Sequence, residues 1–193
     1  QGDYDIGIDE HHPTEVLDES GTAPLGGIVF IAAGGYHSMA VDTAGNLWTW
    51  GRNNCGQLGI NTTDDISLPQ RVDGGETGLP WLDNIVEVAG GGYHTVAMMD
   101  DGTLWSWGDN FYGQLGNGGH TGAPGSYDPG TDRTRPIQAW DSDGAGYFGN
   151  VERITAGWFH SIANTYDGRI WGWGNNDRGQ LGEGSTTERY FPT

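Results

Sequence analysis

The chain of 193 residues contains no lysine. Its eight basic residues are all arginine and stand against 26 acidic ones, for a formal charge of −18. Such a surface repels phosphate backbones and anionic headgroups, so direct nucleic-acid binding is not expected. A single cysteine, Cys55, permits no internal disulfide. No apolar run is long enough to span a bilayer as a helix, so membrane insertion is not expected, and no segment carries helical period. Gly90, Gly91 and Gly92 form a glycine run without a following Lys-Ser/Thr, which removes a phosphate cradle and leaves close backbone approach as its role.

What is abundant is repetition. Three segments end in G-Q-L-G: IAAGGYHSMAVDTAGNLWTWGRNNCGQLG from Ile31, VAGGGYHTVAMMDDGTLWSWGDNFYGQLG from Val88, and ITAGWFHSIANTYDGRIWGWGNNDRGQLG from Ile154. His37, His94 and His160 fall in phase at spacings of 57 and 66 residues, as do Gln57, Gln114 and Gln180. A long fixed period signals stacked or radially arranged units, none of which buries its apolar face alone. Within each copy, short apolar runs are broken by Gly34 and its equivalents and by a turn at residues 42–46, which reads as successive antiparallel strands. Asp101-Gly102 and Asp167-Gly168 predict tight hairpins with both central residues at positive φ. The pairs Trp48/Trp50, Trp105/Trp107 and Trp171/Trp173 put two rings on one strand face, as packing. Pro69, Pro136 and Pro192 follow each G-Q-L-G at the mouth of a fourth, outermost segment, and Pro13 precedes Val16 in the same way. About four strands per unit predict an all-β propeller blade.

The order G-x-x-H, D-G, W-G-x-N, G-Q-L-G, Pro resembles the repeat of the regulator of chromosome condensation (RCC1) family. The resemblance implies a β-propeller of four-stranded blades, about three of them here out of a seven-bladed ring. Trp158-Phe159 stands where the other copies have Gly-Tyr, and Ala44 replaces a turn aspartate. The expected division is 1–27 as the tail of a preceding blade and lead-in, 28–84 as repeat 1, 85–150 as repeat 2 and 151–193 as an incomplete repeat 3. Seven such blades would take roughly 400 residues. The chain is therefore expected to be a piece of a longer propeller, with ring closure by oligomerisation as the alternative; Gln1-Gly2 falls where a preceding G-Q-L-G would end.

Chemistry is sparse. The recurrence of His37, His94 and His160 predicts a structural hydrogen bond inside each blade in preference to a shared metal site. Ser38 and Ser161 belong to the repeat, His11, His12 and His120 lack ligand spacing, and no catalytic constellation emerges, so an enzyme is not expected. Asp128, Asp132, Asp141 and Asp143 are weak calcium candidates, since D-x-D-G supplies only part of a site and solvated turns account for the same pattern. Calcium is the only cofactor the sequence suggests. Asn61-Thr62-Thr63 is a formal glycosylation sequon. The acidity fits either a solubilising surface with turn aspartates or adaptation to high salt or calcium, and the composition favours an extracellular or cell-surface setting while leaving the cytoplasm open.

Variable loops on a repeated frame are the usual place for recognition. Phe111 and Tyr112 in the second copy and Asp177 and Arg178 in the third are the candidate partner-binding residues; His37, His94, His160, Trp50, Trp107, Trp173, Gln57, Gln114 and Gln180 are structural. The expected function is a non-catalytic scaffold that binds a protein partner or further propeller blades. The alternatives are guanine nucleotide exchange on a small GTPase, as the family namesake implies, and a structural module of a larger surface protein.

Overall fold

The computed structural model describes residues 12–120, 125 and 127–193. The expectations placed on Gln1, Gly2 and His11 lie outside the described residues. Blade 1 comprises β1 (Ile28–Ala33), β2 (His37–Asp42), β3 (Leu47–Gly51) and β4 (Ile66–Arg71); blade 2 comprises β5 (Ile85–Gly90), β6 (His94–Met99), β7 (Leu104–Gly108) and β8 (Arg133–Gln138). Blade 3 holds β9 (Val151–Ala156), β10 (His160–Thr165) and β11 (Ile170–Gly174). Each sheet is antiparallel in sequence order, and a single 3-10 turn, Gly75–Thr77, is the only helical segment among the described residues. In blade 3 the fourth position is met at two points, where Arg189 pairs with Gly174 and Thr193 with Gly172 through backbone bonds of 2.6–3.2 Å. The innermost strands β1, β5 and β9 touch in succession and line the inside of the arc.

The hairpins differ from the sequence expectation in one respect. Gly45, Gly102 and Gly168 have φ of 77°, 78° and 80°, while Asp101 and Asp167 stay at negative φ. Gly45 N–H donates to the Asp42 carbonyl at 2.9 Å and Asp42 N–H to Asn46 at 3.1 Å. This is a longer loop closed by one left-handed glycine, the bulged alternative to a two-residue turn. Pro69 and Pro136 also lie within the fourth strands instead of at their mouths. Both strands are outermost, so the missing N–H breaks no ladder, and their pairing with β3 and β7 is irregular.

Each blade has a leading face toward the preceding repeat and a trailing face toward the next. Met39, Val41 and Leu47 on the trailing face of blade 1 pack against Ile85, Val88, Ala97, Trp105 and Trp107 on the leading face of blade 2. Val96, Met98 and Leu104 meet Val151, Ile154, Ala163 and Trp173 in the same way. Strand alternation sorts the side chains: odd positions of a strand feed one interface and even positions the other. Fully burying a Trp or Leu side chain contributes about 1.5–3 kcal/mol, so these two seams carry most of the cohesion between blades.

Candidate protein-docking face

Two of the phased histidines, His37 and His94, make their hydrogen bonds between blades, not inside them. His37 Nε2 lies 2.9 Å from Thr95 Oγ1 of blade 2, and His94 Nε2 lies 3.0 Å from Ser161 Oγ of blade 3. Each hydroxyl spends its one proton on a carbonyl: Thr95 donates to Gln57 at 2.8 Å and Ser161 to Gln114 at 2.9 Å. The imidazole Nε2 must then be the donor, which fixes the tautomer. The same carbonyls accept the indole N–H of Trp107 at 2.9 Å and of Trp173 at 2.8 Å. The histidine and Gln carbonyl of one copy and the hydroxyl and indole of the next thus form a latch across each seam. Burial pushes His37 down to about 4, and burial, helped by the neighbouring histidines, pushes His94 down to about 3. Both stay neutral at physiological pH, because a proton on the unpartnered Nδ1 would bury an unsolvated charge.

The loops before these histidines stack one on the next. Gly35 N–H donates to Gly91 O at 2.9 Å and Gly92 N–H to Trp158 O at 2.8 Å. A Cβ at Gly35 would sit 2.8 Å from the Gly92 carbonyl oxygen, so the close approach needs glycine there. The third copy has Trp158 at that position, and no fourth loop among the described residues crosses it. Its ring turns back over the other two copies, with centroids 6.4 Å from Tyr36 and 6.2 Å from Tyr93, both edge-on. Tyr36 and Tyr93 are themselves 6.2 Å apart, and the Arg52 guanidinium sits 5.4 Å from the centroid of each.

The candidate residues Phe111 and Tyr112 join this group. Their rings meet edge-on at 4.6 Å, Tyr112 lies 5.2 Å from Phe159, and Phe159 stacks 6.4 Å from Tyr93. The result is one aromatic belt from blade 1 to blade 3. Its outer members are open, Tyr36 at 56% and Trp158 at 51% exposure, while Phe111 and Tyr112 are half-buried. Asp177 and Arg178 occupy the equivalent loop of blade 3 as a mutual, exposed ion pair at 3.8 Å, outside the belt. Sequence reading missed Tyr36, Tyr93, Trp158 and Arg52. Tyr36 and Tyr93, each one residue before a phased histidine, were the available signal.

The acidic candidates act on backbone amides. Asp132 is almost fully buried and accepts from Asn110 N–H and Asp128 N–H, both at 2.8 Å, as Asp65 accepts from Asn53 N–H at 2.7 Å. Asp132 is therefore a repeat element that holds the W-G-x-N loop, and burial pushes its carboxyl up to about 7. Asp128 accepts from Gly130 N–H at 2.8 Å. Asp141 and Asp143 both accept from Ala145 N–H, at 3.1 and 2.9 Å, closing an exposed turn. No cluster of three or more potential metal ligands occurs among the described residues. Cys55 is buried, and desolvation raises its thiol to about 12, so it is inert in the folded state.

Comparison with known proteins meets this geometry directly. The family model described as the regulator of chromosome condensation (RCC1) repeat matches residues 44–98 and 101–163, and a second model of the same description matches 28–57, 85–114 and 151–180. The chain belongs to the RCC1 repeat family. The second model's three matches each begin at the first strand of a blade and end in G-Q-L-G. Among curated RCC1 relatives, the ultraviolet-B receptor UVR8 of Arabidopsis thaliana is 35% identical over 162 residues, 84% of this chain and 32% of that protein. The human E3 ubiquitin-protein ligase HERC2 is 35% identical over 167 residues, 86% of this chain but 3% of that protein. The crystal structure of Prp20p from Saccharomyces cerevisiae superposes with a TM-score of 0.70 at 24% identity, over 88% of this chain and 38% of that one, which shows the shared propeller fold. The chain thus spans between 3% and 38% of the length of these relatives.

Proposed function

We propose that this RCC1-type segment is a non-catalytic scaffold, extracellular or surface-exposed, that captures a protein partner on the aromatic belt. The observation that carries this reading is the pair of open rings, Tyr36 and Trp158, held from below by Tyr93 and Arg52. Exposed aromatics on a rigid frame give large contact area at small entropic cost and dominate interface energetics. The chain as a whole carries a formal charge of −18, which favours a partner presenting basic side chains. Prp20p has been described by its binding to Gsp1p and histones, which accords with a protein ligand. The ligase name of HERC2 belongs to a protein of which this chain matches 3%, and it lends no catalytic role here.

The test is affinity capture from an extract of the source organism with immobilised chain, quantified by mass spectrometry. A partner retained by the wild type should lose about thirtyfold in affinity on Tyr36→Ala with Trp158→Ala, since central aromatic anchors are worth about 2 kcal/mol or more. Asp177→Ala should retain it. Equal retention by the double variant removes the belt from the interface. A nucleotide-release assay with a small GTPase is expected to show no acceleration; acceleration would install nucleotide exchange in place of the scaffold.

A further inference from the structure

The turn that follows each W-x-W-G is held by side chains in every copy, but blade 2 alone holds it with two buried acids. In blade 1 the turn opens on Arg52, and the carboxylate that accepts from Asn53 N–H belongs to the exposed Asp65. In blade 3 the position of Arg52 is taken by Asn175, a neutral amide. In blade 2 it is taken by Asp109, fully buried, beside Asp132, itself only 3% exposed. The two carboxylates accept from successive amides of one turn: Asp132 from Asn110 N–H at 2.8 Å and Asp109 from Phe111 N–H at 3.2 Å. Their second oxygens accept from Asp128 N–H at 2.8 Å and Gly125 N–H at 3.2 Å. Among the described residues neither carboxylate is in an ion pair with an arginine. Arg133 directs a guanidinium N–H to the Asp132 backbone carbonyl at 3.0 Å, and Arg52 stacks on Tyr36 and Tyr93. The other titratable groups around the pair are Asp128 on the same segment, Cys55 from blade 1 and Tyr112 on the turn itself. Residues 121–126 read T-G-A-P-G-S and bring no charge.

We propose that Asp109 and Asp132 share one proton while the turn is closed, and that loss of this proton loosens the turn from residues 128–132, which makes the pair a pH-sensitive switch. Two like charges on neighbouring amides, away from water and without a cation between them, cannot both ionise cheaply. Burial accordingly pushes Asp132 up to about 7, with the Asp109 and Asp128 charges adding to it, and burial raises Asp109 as well. The proton belongs to the pair and not to one residue. The closed pair keeps a proton that hydrated carboxyls release near pH 4, so the closed turn is favoured in acid and loses that advantage as pH rises from about 4 to about 7. The turn carries Phe111 and Tyr112, so the switch also sets the blade 2 end of the aromatic belt, whether or not a partner docks there.

Cys55 reports the opening, because it is buried within electrostatic reach of both carboxyls. Its rate of labelling by an aromatic disulfide reagent is measured across pH on the wild type and on Asp109→Asn, which installs the residue that blade 3 carries at that position. Taking the ratio of the two rates cancels the pH response of the reagent and the thiol. That ratio should rise about tenfold or more between about pH 5 and about pH 7, as release of one shared proton requires. Carbon NMR of the aspartate carboxyls supplies a measurement on the wild type alone. One proton should stay with the pair to near neutral pH, and in Asp109→Asn the Asp132 resonance should titrate lower by about one pH unit or more. Wild-type carboxyls that have all ionised below about pH 5 overturn the proposal. So does a retained proton with a flat labelling ratio, since the turn then stays closed whatever the charge. A titration that shifts on adding millimolar calcium also overturns it and makes the pair a cation site.

Discussion

Blade 2 and the two blades that flank it are built from the same repeat, yet they differ in what their side chains experience. Every residue of β7 is buried, whereas β3 and β11, its equivalents, are partly open. His94 is fully enclosed, and its equivalent His160 is half-buried. The difference has no source in residue type, since the histidine, the tryptophan pair and the glutamine recur in all three copies. It comes from neighbours. Among the described residues blade 2 has one on each face and the others have one apiece, which is the nearest-neighbour behaviour of repeat proteins.

The sharpest way to break this comparison is to remove the same tryptophan from each blade. Trp107→Ala should cost about 3–5 kcal/mol, because it empties the seam between blades 1 and 2 and leaves the Gln57 carbonyl with one donor fewer. Trp173→Ala should cost a similar amount at the second seam. Trp50→Ala, on a face that no other blade among the described residues covers, should cost about 1 kcal/mol. Urea denaturation with Cys55 labelling as a second probe measures all three. Equal losses at Trp50 and Trp107 would mean that burial between blades is not what distinguishes them.

Much of this was legible in the sequence and some was not, for identifiable physical reasons. The all-β propeller architecture followed from phase: period-two tryptophans, glycine punctuation and the recurrent G-Q-L-G each reported a local geometry that the blades reproduce. Phase says which residues are equivalent, but it does not say which residues of different copies touch. The histidines were therefore given a bond inside the blade, and of the true acceptors Ser161 was seen only as a member of the repeat while Thr95 was not singled out. Asp132 looked like a cation ligand because the matching Asp65 lies at a different distance from its tryptophan pair, so the shared capping role was hidden by loop length. Tyr36, Tyr93 and Trp158 were each quoted within their own copy without any sign that the curvature of the arc draws three rings to within 6.2–6.4 Å.

A finer probe of the same comparison is acid. His94 titrates at about 3 in the folded chain against 6.5 when unfolded, so below pH 6.5 the unfolded state takes up its proton first. Stability associated with His94 is complete above about pH 6.5 and is lost as pH falls toward 3, at up to about 1.4 kcal/mol per pH unit. Asp132 acts in the opposite sense, because its folded value of about 7 lies above the unfolded 3.8 and the native state gains relative stability as pH falls through that window. His37, lowered to about 4, adds to the acid loss, and the wild-type slope is the difference between the two histidines and Asp132. His94→Asn should cost about 1–3 kcal/mol at pH 7 by breaking the latch and should flatten the acid loss between pH 6.5 and 4. His160 is lowered by burial too but is only half-buried and latches no neighbouring blade, so His160→Asn should change little in either respect. Denaturation midpoints taken across that pH range decide the matter, and parallel curves for His94→Asn and the wild type would rule out the histidine as the source of acid sensitivity.

The smallest expected effect lies at the loop between W-G-x-N and G-Q-L-G, where blade 2 carries Phe111-Tyr112 and blade 3 carries Asp177-Arg178. Tyr112 bridges Phe111 and Phe159 at 4.6 and 5.2 Å, so it links blade 2 to blade 3 across the belt. Aromatic pairs of this kind contribute about 0.5–1.5 kcal/mol beyond their burial, and Tyr112→Ala should lower stability by at least that much. The Asp177 and Arg178 side chains are 61% and 87% exposed and meet each other at 3.8 Å, a geometry in which Coulomb attraction is nearly balanced by hydration and side-chain entropy. Asp177→Ala and Arg178→Ala should each leave stability within about 0.5 kcal/mol of the wild type. If Arg178→Ala instead costs as much as Tyr112→Ala, the blade 3 loop is covered in solution, and the open trailing end must be exchanged for one in which a neighbour already sits over that loop.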